Sequence, residues 1–154
     1  MVIGQRGLSL VEMMVTVAVA GILALYGGSL TASWLGKQQL QATQEVLQQG
    51  YAKARSVALT HGANGASNSA SLLLLTNKQL CVQNGDYTAL NCTDALWQAQ
   101  LAVDSITIAQ QQTACIAFNS AGLPSSGVVN SQNCATSTQY SISKGSNNAN
   151  GYLE

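Results

Sequence analysis

From Met13 to Gly36 the chain carries no charged side chain, and apolar residues are interrupted only by small and hydroxyl ones. A helix over that stretch is about 36 Å long at about 1.5 Å per residue, against roughly 30 Å of bilayer hydrocarbon, so it is long enough to span a membrane. Beyond Lys37 the pattern changes. Leu40, Thr43, Leu47, Tyr51, Ala54 and Ala58 recur at three- and four-residue spacings, while Gln38, Gln39, Gln41, Gln44, Gln48 and Gln49 lie mostly elsewhere. This is the pattern of an amphipathic helix with one buried face. The two stretches together predict one long helix from Leu8 to about Thr60, ending at His61-Gly62, where glycine can take a left-handed C-cap. Sustained heptads are too few for a coiled coil. Gly27-Gly28 interrupts the apolar half, each glycine costing about 1 kcal/mol relative to alanine, and reads as a flexible joint. Trp34 stands where the helix would leave the bilayer, a position that suits an indole ring as well as a plain packing role does.

Strand patterns occupy the rest. Residues 71–76 and 79–83 are short apolar runs separated by Asn77-Lys78, which predicts a β-hairpin, and Asn84-Gly85 predicts a further turn. Residues 105–109, 113–119 and 139–143 are the other strand candidates, with Gly122-Leu123-Pro124 breaking the chain between the last two. The Ser- and Asn-rich stretches 62–71 and 125–138 read as loops. The expected fold class is α+β: a long amino-terminal helix, half of it membrane-like and half amphipathic, packed on a small antiparallel β-sheet head.

Composition narrows the chemistry. The 154 residues hold six basic and six acidic side chains and no net charge, so no long-range field draws the chain to nucleic acid. Cys81, Cys92, Cys115 and Cys134 all follow the apolar stretch, form no Cys-x-x-Cys pair and have no histidine near them. Disulfides fit that pattern better than zinc. Four cysteines allow three connectivities. Closure of the shorter loops favours Cys81 with Cys92 and Cys115 with Cys134, each bridge contributing roughly 3 kcal/mol on loop-entropy grounds. His61 is the only histidine, too few for a catalytic triad or a metal site, and reads as a helix-end residue near the last carbonyls. Asp86, Asp94 and Asp104 lack the spacing of a calcium loop, and Asn91-Cys92-Thr93 matches a glycosylation triplet by chance. No catalytic constellation, cofactor motif or metal site is legible, so the chain is not expected to be an enzyme.

Glu12 is the acid at the start of the apolar stretch. Among lipid tails a charged side chain costs roughly 3 kcal/mol on insertion scales, so it marks a functional contact. A secretory signal peptide would use Arg6 as its positive start and Ala18-Val19-Ala20 as its cleavage site. Glu12 argues against that reading, as does an apolar run that continues past Ala20. A plain single-pass anchor with Arg6 inside and the head outside accounts for the length and leaves Glu12 unexplained. A third reading takes Gly7, Leu8 and Glu12 together.

The segment Gly4-Gln5-Arg6-Gly7-Leu8-Ser9-Leu10-Val11-Glu12 closely resembles the class III leader of type IV pilins and of the pseudopilins of type II secretion. In that family a short basic leader ends in Gly, a hydrophobic residue opens the mature chain and Glu stands at its fifth position. Leu8 occupies the place where the family most often has Phe. The resemblance implies a leader at 1–7, cleavage between Gly7 and Leu8 by a membrane-embedded prepilin peptidase, and N-methylation of Leu8. It implies a transmembrane and assembly half of the helix at 8–36 and a globular periplasmic head at 37–154. Many pilins bend this helix with a proline; here Gly27-Gly28 takes that place. In a bundle of parallel helices, Glu12 of one subunit can neutralise the new amine at Leu8 of its neighbour, and that charge pair would favour one axial stagger.

The segment Tyr51-Ala52-Lys53-Ala54-Arg55-Ser56-Val57-Ala58-Leu59-Thr60-His61-Gly62 resembles the Ala-Arg-Ser helix end of H-type pseudopilins and of T- and U-type fimbrial minor pilins. With the later region around Phe118 to Gly122, it favours the minor-pilin branch. Some T-type members bind DNA through a carboxy-terminal Gly-Arg-x-Arg motif, but here the last eleven residues, from Lys144 to Glu154, contain no arginine. DNA binding is therefore expected to be weak and salt-sensitive, and would need a surface assembled from Lys53, Arg55, Lys78 and Lys144. The expectation is a minor pilin helping to initiate a type IV pilus, held in the inner membrane by one pass before it joins the fibre with other minor and major pilins. An H-type pseudopilin of type II secretion and a DNA-binding competence pilin are the alternatives.

Overall fold

The computed structural model describes residues 9–61, 69–85 and 91–154, with the side chains of 26–32 excepted. Helix α1 spans Leu10–Thr60, and the chain divides into a first compact unit ending at Leu35 and a second, Gly36–Glu154. The strands are β1 Ser71–Thr76, β2 Gln79–Asn84, β3 Trp97–Gln100, β4 Ser105–Ile108 and β5 Ala114–Phe118, followed by β6 Pro124–Ser125, β7 Val128–Val129, β8 Gln132–Asn133, β9 Gln139–Lys144 and β10 Asn147–Tyr152. They form a five-stranded sheet in the order β3-β2-β1-β5-β6, a three-stranded sheet β10-β9-β4 and a two-stranded ribbon β7-β8, with every pairing antiparallel. The fold is α+β, a long helix with a small antiparallel sheet domain.

In the second unit the helix buries the face its spacing predicted: Leu40, Thr43, Leu47, Tyr51, Ala54 and Ala58 are all buried. Tyr51 meets Phe118 of β5 edge to face, ring centroids 5.2 Å apart, and Ser71 at the start of β1 donates to the Ala54 carbonyl at 2.7 Å. Gln44 and Gln48, placed off that face by the sequence pattern, also make tertiary bonds. Gln44 Nε2 donates to the Tyr140 hydroxyl at 3.0 Å, and Gln48 bonds both the Tyr152 carbonyl and the Glu154 amide. Long amides at the border of the buried stripe thus fasten the carboxy-terminal hairpin to the helix.

The run Leu72-Leu73-Leu74-Leu75 is buried throughout because its sheet has two covered faces. Leu73 and Leu75 join Leu80, Val82, Ile116 and Phe118 in the core that includes the helix. Leu72 and Leu74 point the other way, with Cys81, Cys115, Ala117, Val129 and Cys134 in a second, smaller core. Alternation along each strand assigns these faces, and the register places Cys81 and Cys115 on either side of Leu74.

Several expectations are corrected. The Asn77-Lys78 turn is present, both residues left-handed (φ 48° and 61°), but β2 continues through Asn84. The strand expected at 105–109 ends at Ile108, because Ala109 and Gln110 take φ of 50° and 67° to reverse the chain. The strand expected at 113–119 is trimmed to Ala114–Phe118, and the one expected at 139–143 extends to Lys144. The stretch 125–138 is not all loop: it includes the end of β6 and the small β7–β8 ribbon. Strands β3 and β10 were not anticipated, since Trp97-Gln98-Ala99-Gln100 and the Asn-rich tail lack an apolar run. Gly62 and Asp86 lie outside the described residues, as do most of the expected 62–71 loop and part of the Asn84-Gly85 turn's continuation.

Candidate functional site

The amino-terminal unit is built for covering by something else. Every described side chain from Leu10 to Leu25 is exposed, including Leu10, Val11, Met13, Met14 and Val17. Leu10, Met13, Met14, Val17 and Ala18 line an open apolar groove along the helix. Contiguous apolar surface of this kind marks an interaction surface rather than a water-facing one. Glu12 lies in the first turn, where a carboxylate is favoured by the exposed amides of the helix start. Thr16 turns its hydroxyl back to the Met13 carbonyl at 2.9 Å, which satisfies that polar group within the helix. Gly7 and Leu8 lie outside the described residues. Among the described residues no helix is long and apolar enough to cross a membrane; the expected span at 13–36 includes 26–32, whose side chains are not described. Trp34 is exposed.

In the second unit the cysteines form two bridges, Cys81–Cys92 with Cα atoms 5.8 Å apart and Cys115–Cys134 at 4.7 Å. Each ties a polar loop segment down over the far face of the sheet. One partner in this arrangement escaped the sequence reading. Gln83 is fully buried, two residues past Cys81 and on the same face, and its Nε2 donates to the carbonyls of Asn91 at 2.8 Å and Thr93 at 2.9 Å. It clasps the backbone on both sides of Cys92. The period-two spacing from Cys81 was the available signal. Asn91 Oδ1 in turn accepts from the Thr93 amide, an Asx turn inside the triplet 91–93.

The remaining candidates are scattered. His61 Nδ1 sits 3.0 Å from the Thr60 hydroxyl and 3.3 Å from the Val57 carbonyl, at the helix end. Asp104 accepts from the Gly145 amide at 2.7 Å and pairs with Lys144 at 3.1 Å. The Gly145 N–H first, and Lys144 second, hold its carboxyl below the usual value of 3.8. Lys144 is thereby engaged, while Lys53 and Arg55 are exposed on the helix. Among the described residues no group of potential ligands could hold a metal ion.

Residues 3–26 match the family described as the prokaryotic N-terminal methylation motif. No curated protein and no solved structure matches the chain. The matched motif, the exposed apolar helix it leads into and the small antiparallel sheet domain that follows support a type IV pilin-like protein. Pilin-type proteins are structural rather than enzymatic, and the motif implies processing by prepilin peptidase and assembly with other pilins.

Proposed function

We propose that this chain is a minor pilin that helps to initiate assembly of a type IV pilus. The observation that carries the reading is Glu12. It stands five residues after Gly7, inside the matched motif, on a helix whose described neighbours from Leu10 to Leu25 have no covering of their own. On this reading prepilin peptidase cuts between Gly7 and Leu8 and methylates Leu8, and segment 8–36 holds the subunit in the inner membrane with its head in the periplasm. Glu12 then neutralises the amine of a neighbouring subunit as the helices bundle. The Ala54-Arg55-Ser56 helix end supports a minor pilin over a major one; the H-type pseudopilin of type II secretion, whose helix end it also resembles, is the alternative reading. DNA binding has little support, since Lys144 is spent on Asp104.

Mass spectrometry of the envelope protein should find a chain beginning at methylated Leu8; an intact Met1, or a cut after Ala20, rejects the processing. A Glu12→Val variant should still be cleaved and methylated, yet be lost from sheared fibres while accumulating in the membrane. Deleting the gene should reduce piliation. If exoprotein release fails instead and piliation is intact, the subunit belongs to a secretion pseudopilus.

A further inference from the structure

A cleft of about 390 Å³ opens in the second unit where the β1–β2 turn, β4 and the approach to β5 come together. A volume of that order is within the range of small-molecule sites. Polar and apolar surface share its wall about equally: the polar residues are Asn77, Gln112, Thr113 and Ser105, whose hydroxyl is already bonded to that of Ser143, and the charged ones are Lys78 and Asp104. The charges do not cancel. Asp104 is already paired with Lys144 and with the Gly145 amide, whereas Lys78 acts on Asp104 only through longer-range charge and makes no ion pair within 4 Å among the described residues, so two ammonium groups face one carboxylate. One ammonium is therefore left over among neutral donors and acceptors. The left-handed backbone of Asn77 and Lys78 sets both residues at the cleft's edge.

The floor adds backbone groups. Ala109 donates to the Gln139 carbonyl at 2.8 Å, so in this antiparallel register Ser105, Thr107 and Ala109 direct their amides to β9 and Ile106 directs its own away from it. The Ile106 side chain is buried in the core, while its N–H and C=O face the open edge of β4 beside the cleft. An extended peptide would need a row of such groups, but Ile108 and Gln111 have already closed on each other, N to O at 3.0 and 2.9 Å. Only the Ile106 pair remains. A compact ligand rich in hydroxyls and bearing one negative charge matches this inventory of groups.

We propose that this cleft binds an acidic sugar, a pyranose ring whose carboxylate pairs with Lys78 and whose hydroxyls bond Asn77, Gln112, Thr113 and the Ile106 backbone. The full chain in detergent micelles is titrated with glucuronate, glucose, acetate and a capped Thr-Ser-Thr-Ser peptide, followed by saturation-transfer NMR and amide shifts. Glucuronate should saturate with a dissociation constant of about 1 mM. Glucose should bind roughly tenfold more weakly, and acetate and the peptide should not saturate. Lys78→Gln should abolish the preference for glucuronate over glucose, and Thr113→Val should weaken both, with amide spectra otherwise unchanged in each variant. Absence of saturable glucuronate binding overturns the proposal. So does acetate binding as tightly as glucuronate, a preference that survives Lys78→Gln, or saturation by the peptide in place of the sugar.

Discussion

Gln83 shows how one side chain can hold a loop that a disulfide only tethers. Its amide satisfies two carbonyls that flank Cys92, in a fully buried position. Replacing it with leucine keeps the volume and strands both acceptors, so Gln83→Leu should lower the stability of the oxidised protein by about 1–3 kcal/mol, read from urea midpoints at constant m. Asp104 works by charge at the surface. Its folded carboxyl titrates below 3.8, so the stability it contributes is present above that value and is lost as pH falls through the lower, folded one. NMR titration should place the Asp104 midpoint below 3.8, and Asp104→Asn should flatten the acid limb of the stability profile below about pH 4. Neither role follows from residue type: an isolated Asp and a Gln in a polar-rich chain look like solvated surface until their partners are known.

At the scale of elements, legibility followed periodicity. The helix face from Leu40 to Ala58 and the hairpin around Asn77-Lys78 could be read because their apolar spacing is regular and their turn residues are characteristic. Strand β10, Asn147–Tyr152, has neither an apolar run nor β-branched residues; it is a strand because β9 offers a ladder and Gln48 anchors its end. Glycine at 151 fits here for want of space, since a Cβ would overlap the Tyr140 ring. Strand β3 depends in the same way on β2. Tertiary pairing overrides weak strand propensity in both cases. The reversal at Ala109-Gln110 puts two non-glycine residues in the left-handed region, an arrangement that costs each about 1–2 kcal/mol. Gln110→Gly should therefore raise stability by about 0.5–1 kcal/mol, the relief being partly offset by the greater freedom of glycine in the unfolded chain. Thermal melts of the two proteins side by side would detect it.

For the whole molecule, the two sheet faces divide the work. The helix covers one with Leu47, Tyr51 and Ala54; the other is covered by Ser-, Asn- and Gln-rich segments that bring few apolar side chains of their own. Segments of that composition bury too little apolar surface to order themselves, so covalent closure supplies what burial cannot. Reducing both bridges should lower stability by about 3 kcal/mol per bridge and should uncover Leu72 and Leu74, raising dye binding while far-UV helix signal persists. Unfolding curves with and without reductant, together with dye fluorescence, test both parts.

Local sequence encodes the helix, its change of character at Lys37, the first hairpin and the segment 3–26 that matches the methylation motif. These are local: each is encoded in residues a few positions apart, where periodicity and spacing can be read directly. Only the meeting of distant segments makes Leu72 and Leu74 face a second core, closes Gln83 on the Cys92 loop, turns the polar tail into a strand and brings Lys78 and Ile106 to one cleft. Those outcomes depend on which distant segments meet, and a strand with one covered face looks the same in sequence as a strand with two until the loops that close over it are in place.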